Sequence, residues 1–266
     1  MGKKRGGINL LTKLLHGIFI GISLVLPGMS GGTALIILGT YQRYVQDISE
    51  LQIKKHIITA MGIAGGVVLC ALIISELLEL YPDLIVSFLM GMLLASIKIV
   101  FAPLNKSQLK LTYLLFTGIG IAIAWTIVGE PLAQVPASPT DSILPFFGGG
   151  ILTSATMLLP GVSGSSLLIM LNLYDDLLLA VSNFVIWPTL IVFCIGLGLG
   201  ILLFARIIST LYQQYKAPVS FLLSGLLLGS TKALIPGEFS APVLLLFIAG
   251  FLVVYFLSGR NKSDTT

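Results

Sequence analysis

Leu26-Pro27-Gly28-Met29-Ser30-Gly31-Gly32-Thr33-Ala34-Leu35-Ile36-Ile37-Leu38-Gly39-Thr40-Tyr41 is the stretch whose reading decides the fold. It returns as Leu159-Pro160-Gly161-Val162-Ser163-Gly164-Ser165-Ser166-Leu167-Leu168-Ile169-Met170-Leu171-Asn172-Leu173-Tyr174. Nine of the 16 positions are identical at an offset of 133 residues, and Thr33 against Ser166 is a near match. In each copy an apolar run is stopped by Pro-Gly and restarted by small hydroxyl and glycine residues. Proline cannot extend a helix, glycine frees the turn, and serine or threonine caps a new N-terminus. Each copy therefore reads as a broken helix whose second half begins within the apolar phase. Exposed backbone N–H groups and a positive dipole end at that start suit an anion.

The surrounding composition names the solvent. The chain has 266 residues, 56% of them hydrophobic and only 10% charged, with a mean hydropathy of +1.03. Several apolar runs approach the roughly 20 residues that cross a bilayer. An all-α polytopic membrane protein follows, as a single membrane domain over residues 1–266, with no run polar enough for a soluble domain. The net charge of +4 sits in short loops, so it reports topology and excludes nucleic acid as an expected partner. Cys70 and Cys194 fall in mid-span and are expected as small buried apolar residues; nothing calls for a disulfide, a metal or a cofactor. The basic start Lys3-Lys4-Arg5 before an apolar run mimics a secretory signal. That reading fails because the run continues through Pro27-Gly28 and its twin lies mid-chain.

Working outward, the first unit (about 8–130) is expected to hold half-helices at about 10–26 and 30–44. A polar amphipathic connector with Arg43, Asp47, Glu50, Lys54 and Lys55 follows, then spans near 57–78, 84–102 and 112–129. The second unit (about 141–259) repeats the plan, with half-helices near 143–159 and 163–174 and spans near 188–208, 218–235 and 241–258. Gly91-Met92-Leu93-Leu94-Ala95-Ser96-Ile97-Lys98 aligns with Gly225-Leu226-Leu227-Leu228-Gly229-Ser230-Thr231-Lys232, so the duplication reaches beyond the motif.

Loop charge sets the topology. If each broken helix is a re-entrant hairpin, each unit crosses three times and the second unit is inverted. The inner loops then carry Lys3, Lys4, Arg5, Arg43, Lys54, Lys55, Lys106, Lys110, Arg206, Lys216, Arg260 and Lys262. The outer loops carry Asp83, Glu130, Asp141, Asp175, Asp176 and Glu238, with no Lys or Arg. That division follows the positive-inside rule and puts both termini in the cytoplasm. Half-helices of roughly 12–17 residues are short for full spans.

Inverted repeats with discontinuous helices are the plan of many secondary transporters, with substrate held at the midplane between the repeats. On this reading Ser30, Gly31, Gly32 and Thr33 face Ser163, Gly164, Ser165 and Ser166 across a pseudo-two-fold axis, with Pro27, Gly28, Pro160 and Gly161 shaping the breaks. The substrate carries an anionic group. Lys98 and Lys232 occupy equivalent positions late in equivalent spans and are candidates to attract it, since charge inside a membrane is costly. The plain alternative is helix packing by small residues, the reading adopted for Gly148-Gly149-Gly150 and for Gly196, Gly198 and Gly200. His16, without a counterpart in the second unit, is expected as a hydrogen-bonded interfacial histidine.

The twin Leu-Pro-Gly-[Met/Val]-Ser-Gly motifs, the tyrosines Tyr41 and Tyr174 and the Gly-x-Leu-Leu-x-Ser-x-Lys blocks resemble a bacterial family of undecaprenyl-phosphate translocases over nearly the whole chain. The resemblance implies a flippase in the bacterial cytoplasmic membrane. It would return the phosphate-bearing polyprenyl carrier of cell-wall synthesis from the outer to the inner leaflet. The family motif falls on Pro27, Gly28, Ser30, Gly31, Pro160, Gly161, Ser163 and Gly164. Undecaprenyl-pyrophosphate phosphatases look similar but carry a Pro-Gly-x-Ser-Arg-Ser-Gly motif. Here both copies lack the arginine, and the first half-helix has no glutamate, so phosphoryl transfer lacks its positive charge and its base. A carrier of a small soluble anion fits the half-helix starts equally well.

Overall fold

The computed structural model describes residues 9–26, 29–70, 80–105, 109–127, 143–162, 164–173, 176–177 and 187–260; the side chains of 25, 165, 166, 169, 187 and 257–260 lie outside the description. All regular structure among them is helical. The helices are α1 (Leu10–Val25), α2 (Gly31–Ile37), α3 (Tyr41–Ser49), α4 (Ile57–Leu69), α5 (Pro82–Phe101), α6 (Leu114–Ile127), α7 (Leu144–Leu158), α8 (Gly164–Met170), α9 (Trp187–Gln214), α10 (Lys216–Ser230) and α11 (Ala241–Arg260). Among the described residues, three stretches are long and apolar enough to cross a bilayer: Pro82–Phe101, Pro188–Gln214 and Lys216–Leu234. Shorter apolar helices accompany them. The expected span near 57–78 is described as helix to Leu69; its remainder falls on 71–79, outside the described residues.

The helix breaks form where the sequence puts them. Leu26 and Leu159, each followed by proline, leave the helix in extended conformation (φ −68°, ψ 136° and φ −79°, ψ 127°), because the proline ring excludes the helical region for its predecessor. Ser30 caps α2, its Oγ accepting the Thr33 N–H at 3.2 Å.

The second half-helices end sooner than expected. α2 stops at Ile37, and α3 begins only at Tyr41. Gly39 has a φ of +67°, the Gly39 N–H bonds the Ile36 carbonyl and the Thr40 N–H bonds the Leu35 carbonyl. This is a Schellman end, with glycine in the left-handed region. In the second copy Asn172 takes that role at φ +54°, and the Leu173 N–H bonds the Leu168 carbonyl.

Glycines set which helices touch. α1 crosses α4 with Gly17 and Gly21 against the Thr59 and Ile63 carbonyls, and Gly62 and Gly66 against those of Leu14 and Ile18. α7 crosses α9 in the same way: Gly150 meets the Phe193 carbonyl and Gly196 that of Phe147. A methyl group at any of these positions would strike backbone, so close approach is built from small residues. Gly148 and Gly198 instead face open space. α5 packs on α11 through Gly91 and Gly250, and α10 packs on α6 through Gly225 and Gly120. Each of these last two pairs joins a helix of the first unit to one of the second. Cys70 is buried as expected, whereas Cys194 is exposed on α9.

Candidate functional site at the paired helix breaks

The two breaks meet in the core. Ser30 and Thr33 are almost fully buried (4% and 0% exposed). The Ser30 hydroxyl donates to the Leu159 carbonyl at 3.0 Å, and the Gly161 N–H donates to Thr33 Oγ1 at 2.8 Å. The two hydroxyl oxygens lie 3.2 Å apart. With its own proton on Leu159, Ser30 Oγ accepts from the Thr33 hydroxyl, and the chain of bonds closes. One side chain pair thus ties the start of α2 to the extended turn after α7. Gly161, at φ +79°, lies against the Leu226 carbonyl and Ser230 of α10. Gly32 lies against the Leu158 carbonyl, while Gly31 has ordinary clearance: a methyl group there would sit 3.4 Å from the Met157 carbonyl.

Of the residues expected at this site, Ser30, Gly31, Gly32, Thr33, Pro160 and Gly161 are gathered here and buried. Gly164 faces elsewhere: its nearest neighbours are Thr153 and Thr156 of α7. Among the described residues, the contact across the breaks is made by the Leu159–Gly161 backbone. Pro27, Gly28 and Ser163 lie outside the described residues, as do the side chains of Ser165 and Ser166.

Lys98 and Lys232 occupy matched settings, Lys232 in the turn directly after Ser230, the residue that lies against Gly161. Lys98 Nζ on α5 lies 3.4 Å from the centre of the Tyr255 ring on α11. Lys232, in the short turn after α10, lies 5.4 Å from that of Trp125 on α6. Both lysines are exposed. Each ammonium thus rests on an aromatic face contributed by the other unit, an attraction of electrostatic origin. His16 has a buried Nδ1 without a hydrogen-bond partner among the described residues, contrary to the expectation of a bonded histidine.

A large, half-open cavity with both polar and apolar lining was not foreseen from the sequence. It encloses about 1020 Å³ between the end of α2, α3, the end of α5 and α9. Its wall includes Tyr41, Gln42, Arg43, Asp47, Lys55 and Tyr212, over an apolar floor of Ile36, Ile99, Val100 and Leu223. It meets α2 at Ile36 and the turn that follows at Gly39, with Ile36 roughly 9 Å along the helix axis from Ser30 at about 1.5 Å per residue. α3 is fastened there by its buried Tyr41, Tyr44 and Val45. Tyr44 Oη bonds Thr59 Oγ1 at 3.1 Å, Gln42 donates to the Tyr212 hydroxyl at 2.5 Å, and Arg206 Nε donates to the Ser49 carbonyl at 3.4 Å. Asp47 accepts from His56 Nε2 at 3.0 Å, with Lys55 Nζ at 3.6 Å and Arg43 Nε at 3.9 Å. Burial holds the His56 imidazole below its ordinary pKa, and the Asp47 bond opposes that shift. The sequence offered one signal for this cavity, the polar face of the connector, and it was read as topology charge alone.

At the other end of the molecule the Gly237 N–H donates to Asp83 Oδ1 at 2.7 Å. One end gathers Lys13, Arg43, Lys55 and Arg206, and the opposite helix ends carry Asp83 and Glu238 together with Lys232.

The fold and the site define a helical membrane protein in which the start of α2 is hydrogen-bonded to the turn after α7 in the core. The chain belongs to the VCA0040-like family, described as undecaprenyl phosphate translocase-like, which it matches over residues 7–69 and 56–249. It is similar to a polyprenyl-phosphate transporter of Vibrio cholerae serotype O1, with 29% identity over 249 residues, covering 86% of this chain and 79% of the relative. It is also similar to a polyprenyl-phosphate transporter of Staphylococcus aureus, with 27% identity over 274 residues, covering 94% and 96%. No solved structure matches the chain significantly.

Proposed function

We propose that this protein moves a polyprenyl phosphate from the outer to the inner leaflet of the bacterial cytoplasmic membrane without cleaving it. Two inverted halves exchange roles, and the phosphate passes the half-helix starts at Ser30–Thr33 and Ser163–Ser166. The observation that carries the reading is the hydrogen-bonded meeting of the two breaks, Ser30 to Leu159 and Gly161 to Thr33, in the buried core. The same two hydroxyls that hold the breaks together are the groups that an opening of the join would free toward an anion. Once parted, the Gly31 and Gly32 N–H groups and both hydroxyls become donors for a phosphate. The names of the Vibrio and Staphylococcus relatives support the lipid.

The exchange of roles is supported by the helix pairs. α1 on α4 is matched by α7 on α9, and α5 on α11 by α10 on α6, as two inverted copies would pair. The gathering of basic groups at one end and of Asp83 and Glu238 at the other supports an inner and an outer face with cytoplasmic termini. In the present state the cavity opens among the basic groups and the breaks are closed, which fits a carrier facing the cytoplasm.

The reading separates from a phosphatase by one assay. Purified protein given undecaprenyl pyrophosphate should release no phosphate, because both motif copies lack the arginine that would charge-stabilise the transferring group. Release that disappears with Ser30→Ala would move the chain to the enzyme class.

A further inference from the structure

We propose that the cavity beside α3 is a phosphate-monoester site of its own, in which the Arg43 guanidinium and the Tyr41 hydroxyl hold the headgroup on the basic side of the protein. This rests on the transport reading and adds to it a second headgroup station, separate from the breaks.

The Tyr41 hydroxyl is buried and has no hydrogen-bond partner among the described residues, although the residue is only 5% exposed and lines the cavity. Of the six buried polar atoms left so among the described residues, it alone belongs to a residue that lines the cavity, where a ligand would give it a partner. Arg43 also lines the cavity, and its one ion pair among the described residues is the 3.9 Å approach of Nε to Asp47. That geometry leaves the terminal fork of the guanidinium for a phosphate, which it suits in shape and charge.

The cavity wall also holds two carboxylates, and both are already engaged. Asp47 is held by His56 and Lys55. Glu50 accepts from Gln46 at 2.8 Å and from Gln52 at 2.6 Å. Their charge is thus offset or tied down by neighbours, whereas Tyr41 and Arg43 keep donors to spare. The volume of about 1020 Å³ far exceeds a phosphate, and the apolar floor gives the first units of an attached chain a place to lie.

The duplication makes the site one-sided. Tyr41-Gln42-Arg43 corresponds to Tyr174-Asp175-Asp176 at the offset of 133 residues. A cation on one face is replaced by a carboxylate on the other, and like charge repels a phosphate. Headgroup affinity should therefore be high from the basic face and low from the acidic one.

The test is calorimetric titration of the full-length protein in lipid nanodiscs with farnesyl phosphate, inorganic phosphate and phosphate-free farnesol. Arg43→Gln should weaken both phosphate compounds about ten- to a hundredfold, the range of a hydrogen bond to a charged group. Tyr41→Phe keeps the buried ring and should weaken them by about tenfold, the lower end of the same range, and Arg43→Lys should recover part of the Arg43→Gln loss. Farnesol should bind all variants alike. Farnesyl phosphate binding more tightly than phosphate identifies the lipid as the ligand; equal binding keeps the site and assigns it to the free anion. If Arg43→Gln and Tyr41→Phe both bind within about twofold of the parent, the site is refuted even where lipid transport is intact. If the parent binds phosphate with these dependences but moves no lipid, the site stands and the transport reading falls. If the parent binds neither phosphate compound, both fall.

Discussion

Replacing Thr33 by valine tests the join between the two breaks. Valine keeps the size and branching of threonine and removes only the hydroxyl, so packing at this fully buried position is nearly preserved. What is lost is the acceptor for the Gly161 N–H at 2.8 Å and the donor to Ser30 Oγ. The Gly161 N–H is then buried with a methyl group before it, and an unsatisfied buried donor costs about 1–3 kcal/mol. Ser30→Ala removes the cap of α2 and strands the Leu159 carbonyl, for a loss of about 0.5–2 kcal/mol from the cap alone. Because both hydroxyls belong to one closed network, the double variant should lose less than the two single losses together, with a coupling of about 0.5–3 kcal/mol. Unfolding in detergent, followed by the fluorescence of Trp125 and Trp187, measures all four proteins. Thr33→Ser, which keeps the hydroxyl, should lose only the roughly 0.8 kcal/mol of one buried methyl group. Thr33→Val as stable as the parent, or strictly additive losses, would refute the network.

Two neighbouring glycines should part company. Gly32→Ala should abolish folding or transport because its methyl meets the Leu158 carbonyl, while Gly31→Ala should be tolerated; expression and monodispersity in detergent distinguish them. Cysteines introduced at Asp83 and Gly237 should react with an impermeant thiol reagent applied to intact cells, and one at position 106 should not; labelling at 106 would overturn the inverted arrangement. For pH, His56 has a lowered pKa in the folded protein, so the unfolded chain binds the proton more readily. Stability is then complete above the ordinary histidine value of 6.5 and is lost as pH falls through the lowered one, a trend that His56→Gln should flatten in thermal melts.

Much of this was legible from residues that act through the backbone. Pro27 and Pro160 force Leu26 and Leu159 out of the helix whatever surrounds them, so the breaks could be read directly. Gly39 and Asn172 hid the ends of α2 and α8. A single small or polar residue inside an apolar run has the pattern of a continuing helix, and only the left-handed φ marks the end. Glycine spacing announced close helix crossings but not the partners, because in lipid the choice between helices rests on shape rather than on burying apolar area. The repeat implied that the breaks face one another. It did not indicate that Ser30 and Thr33 would bond the Leu159–Gly161 backbone, leaving Gly164 against α7. Arg43 was legible as a charge and not as a cavity wall, since the fold of α3 over α9 brings Tyr41, Gln42 and Tyr212 together from 170 residues apart.

The most direct test of the transport reading is a sidedness assay in proteoliposomes. A fluorescent polyprenyl phosphate is placed in the outer leaflet, and its loss of accessibility to an impermeant quencher is followed over time. Protein-containing vesicles should sequester the phosphate lipid far faster than empty ones, and the matching phosphate-free polyprenol should show no such acceleration. Equal rates with and without protein for the phosphate lipid would contradict the account.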